Sequence, residues 1–373
     1  MINHIKKINL KKKKKVIIAM SGGVDSSVSA FLLKKKYYVE GLFMKNWEEN
    51  DENNYCQSKK NLKDAKKICD LLNIRLHKIN FSAEYWNIVF KNFLYEYKKG
   101  NTPNPDIVCN KEIKFKICLK YVFNVLKADF IATGHYARNI VKNNINFLCK
   151  SIDKEKDQTY FLYTLKEKKL KKIIFPIGGL KKKKVRNIAK KNNFHVFNKK
   201  SSTGICFIEP KSFKKFITRY ISKSRGNICT IENKIIGKHE GLFNYTIGQR
   251  KGLKIGGLKK HLNKPWYVVR KNIKQNSLIV AQGRNNIYLM STILIAKNIN
   301  WINKNFIKFP FKCKAKIRYL QKENLCVVKK YKKKLLKVIF FNKVSSVTPG
   351  QSIVFYKKEI CLGGGIIKKN IIV

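Results

Sequence analysis

The run Val16-Ile17-Ile18-Ala19-Met20 is apolar at every position and rich in β-branched residues, with lysines before it and Ser21-Gly22-Gly23 after it. Such a run has no polar face to turn toward water, so it predicts a strand buried on both sides, as in a parallel sheet. Tyr38 to Met44, Leu76 to Phe81 and Phe130 to Thr133 read as strands too. Between them the apolar spacing becomes that of helices. Ser27 to Lys35 carries Val28, Phe31 and Leu32, and Lys59 to Leu72 carries Leu62, Ala65, Ile68 and Leu72 on one face. Glu84 to Lys98 carries Tyr85, Trp86, Phe90, Phe93 and Tyr97, an aromatic stripe that reads as core. Strands alternating with helices predict an α/β domain with a parallel sheet, whose ligands bind beyond the carboxyl ends of its strands.

From Phe213 the pattern shortens. Phe213 to Leu258 is punctuated by glycine and reads as a small linking domain. Pro265 to Val373 shows brief alternating strands, such as Trp266 to Val269, Ser277 to Ala281, Leu335 to Phe341 and Ser352 to Tyr356, the pattern of a small antiparallel barrel. The predicted divisions are 1–14 for a basic, disordered lead-in, 15–212 for the catalytic domain, 213–284 for the central domain and 285–373 for the barrel domain.

The candidate chemistry lies in loops. In Ser21-Gly22-Gly23-Val24-Asp25-Ser26-Ser27 two glycines let the backbone approach an anion, and Ser21, Ser26 and Ser27 can donate hydrogen bonds. The next helix points its positive end at the same place, so the loop reads as a phosphate cradle. It has neither the Gly-Lys-Ser/Thr ending of a Walker A sequence nor the spacing of a dinucleotide fold. Asn101 to Asn110 contains Pro103 and Pro105, which exclude helix, and delivers Cys109 to the foot of the helix predicted for Lys111 to Leu126. There the helix end, Lys111 and Lys114 would lower the thiol pKa, making Cys109 a candidate nucleophile and Asp106 a candidate acid or base. An inert buried cysteine is the competing reading. The small residues of Ser201-Ser202-Thr203-Gly204-Ile205-Cys206-Phe207 suit either an accessible thiol or an inert one in a turn. His135, alone after Gly134, reads as a structural residue, and Asp157 to Phe161 as the acidic start of a helix.

Charge changes the picture of partners. Lys and Arg number 82 against 22 Asp and Glu, a formal net charge of +60, which points to a polyanion and first to nucleic acid. The lysines are spread along the chain, so part of the excess is solvated surface. Ten cysteines without regular spacing or any CxxC pair argue against a disulfide framework and a structural zinc, and for a reducing compartment. Met1 to Lys15 lacks the apolar core of a signal peptide and no run is long enough to span a bilayer, so the expectation is a cytoplasmic protein with no membrane partner.

The first loop resembles the PP-loop of ATP pyrophosphatases, which cleave ATP between the α and β phosphates. Thr102-Pro-Asn-Pro-Asp-x-x-Cys-Asn-x-x-Ile-Lys-Phe115, Asp157-Gln-Thr-Tyr-Phe161, Ser202-Thr-Gly-Ile-Cys-Phe207 and Tyr245-Thr-Ile-Gly-Gln-Arg-Lys-Gly-Leu253 accompany it. Arg318-Tyr319, Thr348-Pro-Gly-Gln351 and Cys361-Leu-Gly-Gly-Gly365 complete the set. Together, in order and over nearly the whole chain, they resemble the tRNA-specific 2-thiouridylase family. The resemblance implies an adenine nucleotide alpha hydrolase-like parallel-sheet domain, a small central domain and a C-terminal antiparallel β-barrel. It also implies ATP-dependent 2-thiolation of the wobble uridine of a tRNA, with Mg²⁺ beside the ATP. Ile18, Ala19, Met20, Ser21, Gly22, Gly23, Val24, Asp25 and Ser26, with Met44 and Gly134, would hold the nucleotide. Asn104, Pro105 and Asp106 would meet the target base, and Lys156, Asp157, Gln158, Arg318 and Tyr319 would contact tRNA. Cys206 would take a persulfide from a sulfur-relay protein or a cysteine desulfurase, and Cys109 would act as nucleophile and close a transient disulfide with Cys206.

Two residues depart from the family pattern. Ser201 stands where Asp is usual and Glu209 where Gly is usual, changes that bear on the protonation or mobility of the Cys206 loop and so on rate more than reaction. Two other functions compete. A PP-loop synthetase that adenylates a small carboxylate or nucleotide would need neither Cys109 nor Cys206, and a non-catalytic RNA-binding protein would fit the charge without either cysteine loop.

Overall fold

The computed structural model describes residues 13–48, 57–200, 216–222, 224–256 and 264–371 of the 373-residue chain. Five parallel strands form the first sheet, in the order Leu76–Asn80, Tyr38–Lys45, Lys15–Ala19, Phe130–Thr133, Ile173–Ile174. The apolar run at its centre serves two cores: Ile17 packs with Leu42 and Ile131 on one face, Val16 and Ile18 with Val39 and Ala132 on the other. The chain steps outward from Lys15–Ala19 twice and then returns to its opposite side at Phe130–Thr133. That reversal opens a crevice beyond the strand ends, between Ser21–Gly23 and Gly134–Tyr136. The aromatic stripe is core, as read: Tyr85, Phe90 and Phe93 are buried, and Phe90 meets Trp47 edge-on at 5.0 Å.

Three local expectations are corrected. The first helix is Val24–Lys34, beginning at the glycine pair with Gly23 as its N-cap rather than at Ser27. Helix also begins earlier at the second proline: Pro105–Val108 is helical, and the chain runs on through the π-helical Cys109–Ile117 into Cys118–Asn124. Proline is excluded from a helix interior but suits the first position, and Asn104 Oδ1 caps this one by accepting from the amides of Asp106 at 3.1 Å and Ile107 at 3.4 Å. At Asp157 the expected helix is only the 3₁₀ turn Thr159–Phe161.

The second sheet has the order Trp266–Asn272, Ser277–Gln282, Gly226–Cys229, Ile235–His239. Its first two strands, whose pattern reads as barrel, pair instead within this central sheet, because short alternating strands look alike whatever they bond to. The barrel has six antiparallel strands, Met290–Trp301, Phe311–Lys316, Asn324–Tyr331, Leu335–Ser345, Ser352–Lys357 and Ile360–Ile371, and closes where the first bonds the last. A hairpin from the first domain, Ala137–Lys142 with Ile145–Lys150, extends this sheet through Cys149 and Ile360. Thr102 joins the first domain to the barrel, and Arg318 joins the barrel to the central domain. The Thr102 N–H donates to Pro349 O at 2.9 Å, its carbonyl accepts from Gln351 Nε2 at 2.7 Å, and Arg318 Nη2 donates to Ile247 O at 2.6 Å and Ser346 O at 3.2 Å. Among the described residues no helix is long and apolar enough to cross a membrane.

Candidate nucleotide and thiol site

Backbone geometry fixes the first loop. Gly22 has φ +68°, and a Cβ there would lie 2.2 Å from Asn61 O, so both conformation and space require glycine. Gly22→Ala is expected to lower stability by about 2–4 kcal/mol and to abolish nucleotide binding, read from the thermal midpoint and an ATP titration. Gly134 closes the crevice from the other side: a Cβ there would come within 2.8 Å of Ser26 N. Met44, half-buried near the carboxyl end of the neighbouring strand, lies on the same edge of the sheet.

All three serines are engaged inside the loop, with Ser21 Oγ 3.2 Å from Ser26 Oγ. Ser26 Oγ donates to Gly23 O at 3.0 Å and accepts from Ser21 N at 3.2 Å, while Ser27 Oγ donates to Gly23 O at 2.9 Å. They shape the cradle rather than line it. Donors for an anion are then the first-turn amides of Val24–Lys34, which lack partners within the helix. That arrangement fits the phosphates of ATP. Among the described residues no cluster of three or more His, Cys, Asp or Glu could hold a metal.

Asp25 is tied on two sides. Lys182 Nζ lies 2.7 Å from both carboxylate oxygens and the Tyr136 hydroxyl donates to Oδ1 at 2.8 Å. Lys182 is 9% exposed. Sequence reasoning missed it within the run Lys181–Lys184; the available signal was its register, three and seven residues before Val185 and Ala189 on the buried face of Lys182–Lys191. Lys199 was missed too: its Nζ donates to Gly22 O at 2.9 Å, Asn61 Oδ1 at 2.9 Å and Asp64 Oδ2 at 2.6 Å, locking the loop to the helix Gln57–Leu71.

Cys109 corrects the expectation of a stabilised thiolate. It lies inside a helical run that extends from Pro105 to a kink at Phe115, 3% exposed, and burial pushes its thiol up to about 11. The Lys114 charge opposes that shift, the Asp106 charge one turn earlier adds to it, and desolvation wins. His135 is structural, as read: Thr133 Oγ1 lies 2.8 Å from its Nδ1, rings of Phe115 and Phe175 flank it, and desolvation holds it well below its usual pKa.

The remaining candidates divide by burial. Asp157 is buried: its Oδ1 accepts from Ser151 N at 3.2 Å, its Oδ2 accepts from Thr159 Oγ1 at 2.8 Å, and burial raises its pKa. Gln158 Oε1 accepts from Tyr136 N at 2.9 Å and so holds the Gly134–Tyr136 loop. Arg318 faces inward onto Ile247, Ser346 and Thr348, while half-buried Tyr319 lies 4.4 Å from the Phe161 ring. Phe161 O accepts from Asn110 Nδ2 at 3.3 Å, which joins the Cys109 helix to the Arg318-Tyr319 turn. Lys156 is half-buried. Cys206, Ser201 and Glu209 lie outside the described residues.

Comparison with known proteins adds three family matches. Residues 14–210 match the tRNA methyl transferase HUP domain, 214–282 the tRNA methyl transferase PRC-barrel domain and 291–367 the aminomethyltransferase beta-barrel domain. The chain is 61% identical, over 97% of its length and 99% of the relative's, to the tRNA-specific 2-thiouridylase MnmA of Buchnera aphidicola subsp. Acyrthosiphon pisum. It is 53% identical to the protein of that name from Blochmanniella pennsylvanica, covering 98% of each chain. To that from Haemophilus influenzae (strain Rd) it is 52% identical, covering 94% of this chain and 92% of the relative.

Proposed function

The chain belongs to the tRNA-specific 2-thiouridylase family, and from that membership we propose that it exchanges oxygen for sulfur at C2 of the wobble uridine of tRNA at the expense of ATP. The observation that carries the reading is the rigid anion cradle at the reversal point of a parallel sheet, with Asp25 oriented by Lys182 and Tyr136. When bound, ATP supplies an adenylyl group that turns the uracil O2 into a leaving group, with Mg²⁺ on its phosphates. The amides after Gly23 hold the departing pyrophosphate. Asn104, Pro105 and Asp106 take the base, an unstacked anticodon-loop nucleotide that can be splayed into a pocket. Lys156, Gln158 and Tyr319 contact the tRNA, and Asp157 and Arg318 set the loops that carry them.

Sulfur comes from a persulfide on Cys206, loaded by a sulfur-relay protein or a cysteine desulfurase. Its terminal sulfur attacks C2, and the Cys109 thiolate attacks Cys206 Sγ, leaving sulfur on the base, AMP as leaving group and a Cys109–Cys206 disulfide for a reductant to open. Burial keeps Cys109 protonated at neutral pH in the free protein, which guards it from oxidation. The test uses unmodified tRNA, ATP and a sulfide source. Asp25→Ala is expected to lose tRNA-dependent pyrophosphate release by about 100-fold or more. Unchanged release would remove the PP-loop from the chemistry.

A further inference from the structure

Where the three domains meet lies a cavity of about 290 Å³ that the reaction above does not use. Gly100–Thr102 form one wall, Ile247, Lys271 and Ile279 of the central domain another, and Tyr288 and Pro349 complete it. Its lining is mainly apolar, yet the Lys271 ammonium is buried there with no hydrogen-bond partner. A buried cation without a partner is a defect in a fold unless a ligand completes it. The enclosure has already drawn its pKa down to about 8. Lys99 and Arg270 also line the cavity, and no carboxylate does. The missing partner is therefore an anion. A free phosphate would satisfy the amine but leave the aliphatic walls and the Tyr288 ring uncovered, whereas a nucleotide fills both. Thr102 lies two residues before Asn104, so the cavity adjoins the segment assigned to the target base.

We propose that this cavity receives a second nucleotide of the bound tRNA, not the reacting one, with its phosphate on Lys271 and its base against Tyr288 and the isoleucine wall. The proposal rests on the functional reading above. A single-stranded nucleotide is held in this way by one charge contact and one stacking face. Lys271 then helps to fix the register of the anticodon loop in the enzyme.

The experiment compares wild type with Lys271→Gln and Lys271→Arg, using unmodified tRNA over a range of salt. Lys271→Gln is expected to weaken tRNA binding about fivefold and to reduce the slope of log affinity against log salt by about 0.7, the value for one single-strand phosphate contact. Lys271→Arg should keep the slope. Removing an unpaired buried amine should not lower the thermal midpoint, which separates the effect from misfolding. In parallel, acetylation of Lys271 by an amine-directed reagent is read by mass spectrometry with tRNA, uridine monophosphate or inorganic phosphate present. Protection by tRNA at concentrations where inorganic phosphate gives none supports the proposal. Equal protection by inorganic phosphate, or none by tRNA, or an unchanged salt slope in Lys271→Gln, overturns it. Thiolation of the same tRNA by wild type reports separately on the functional reading.

Discussion

Cys109→Ser is expected to yield no thiolated tRNA above background, a loss of at least about 1,000-fold, while tRNA binding and ATP-dependent pyrophosphate release persist. The reason lies in the division of labour along the fold. In the proposed mechanism, activation of the base belongs to the crevice around Gly22 and Asp25, and sulfur delivery to the helix that begins at Pro105. A serine hydroxyl fits the space of the thiol but does not attack a disulfide-like sulfur, and burying it costs only about 1–2 kcal/mol, so the variant should fold. Electrophoresis in a mercury-containing gel reads the product directly. The elevated pKa gives a companion result: iodoacetamide labelling of Cys109 in the free protein should be slow at pH 7 and rise about tenfold per pH unit up to pH 10. An exposed thiol would level off near pH 8.5. Full thiolation by the serine variant would contradict the assignment.

Lys182→Met is expected to reduce pyrophosphate release by about 100-fold and to raise the KM for ATP about tenfold. Without the ammonium, the partly buried Asp25 carboxylate keeps only the Tyr136 hydroxyl, and its orientation in the crevice is lost. The stability cost should be about 1–3 kcal/mol, less than for a fully buried pair because the Asp25 side chain is 27% exposed. Asp25→Asn combined with Lys182→Met should recover most of that stability without recovering activity, a pattern that separates charge pairing from catalysis in a double-mutant cycle. Lys182→Met retaining wild-type kinetics would show that the pair is only structural.

Much of this arrangement is legible in the sequence, and the misses have physical causes. The run at Val16, the glycines that follow and the return strand at Phe130 place the crevice, because a strand without a polar side has few alternatives to the middle of a parallel sheet. Proline misleads at Pro105, where it starts a helix, since the rule against proline concerns the hydrogen bond that a first-turn residue does not make. The Cys109 environment is misread for a different reason. Local sequence supplies lysines and a helix, but the thiol's pKa is set by desolvation, which depends on the aromatic core that Phe90 and Tyr160 bring to it from other segments. Lys182 and Lys199 are hidden by composition: in a chain with 82 basic residues, the two that turn inward onto Asp25 and Asp64 stand out only by register or by tertiary contact. Arg318 shows the converse. The resemblance assigns it to tRNA, and in the free protein its side chain also ties the barrel to the central domain, a contact no local pattern signals.

The origin of the oxygen in AMP tests the central chemistry most directly. Unmodified tRNA carrying ¹⁸O at O2 of the wobble uridine is incubated with the protein, ATP and a persulfide donor, and the AMP is analysed by mass spectrometry. The expected result is one ¹⁸O in the AMP for each 2-thiouridine formed, because the bond from O2 to the α-phosphate made at the PP-loop survives when sulfur displaces it from C2. Thiolated tRNA accompanied by unlabelled AMP would mean that the uracil oxygen never met the nucleotide held between Gly22 and Gly134.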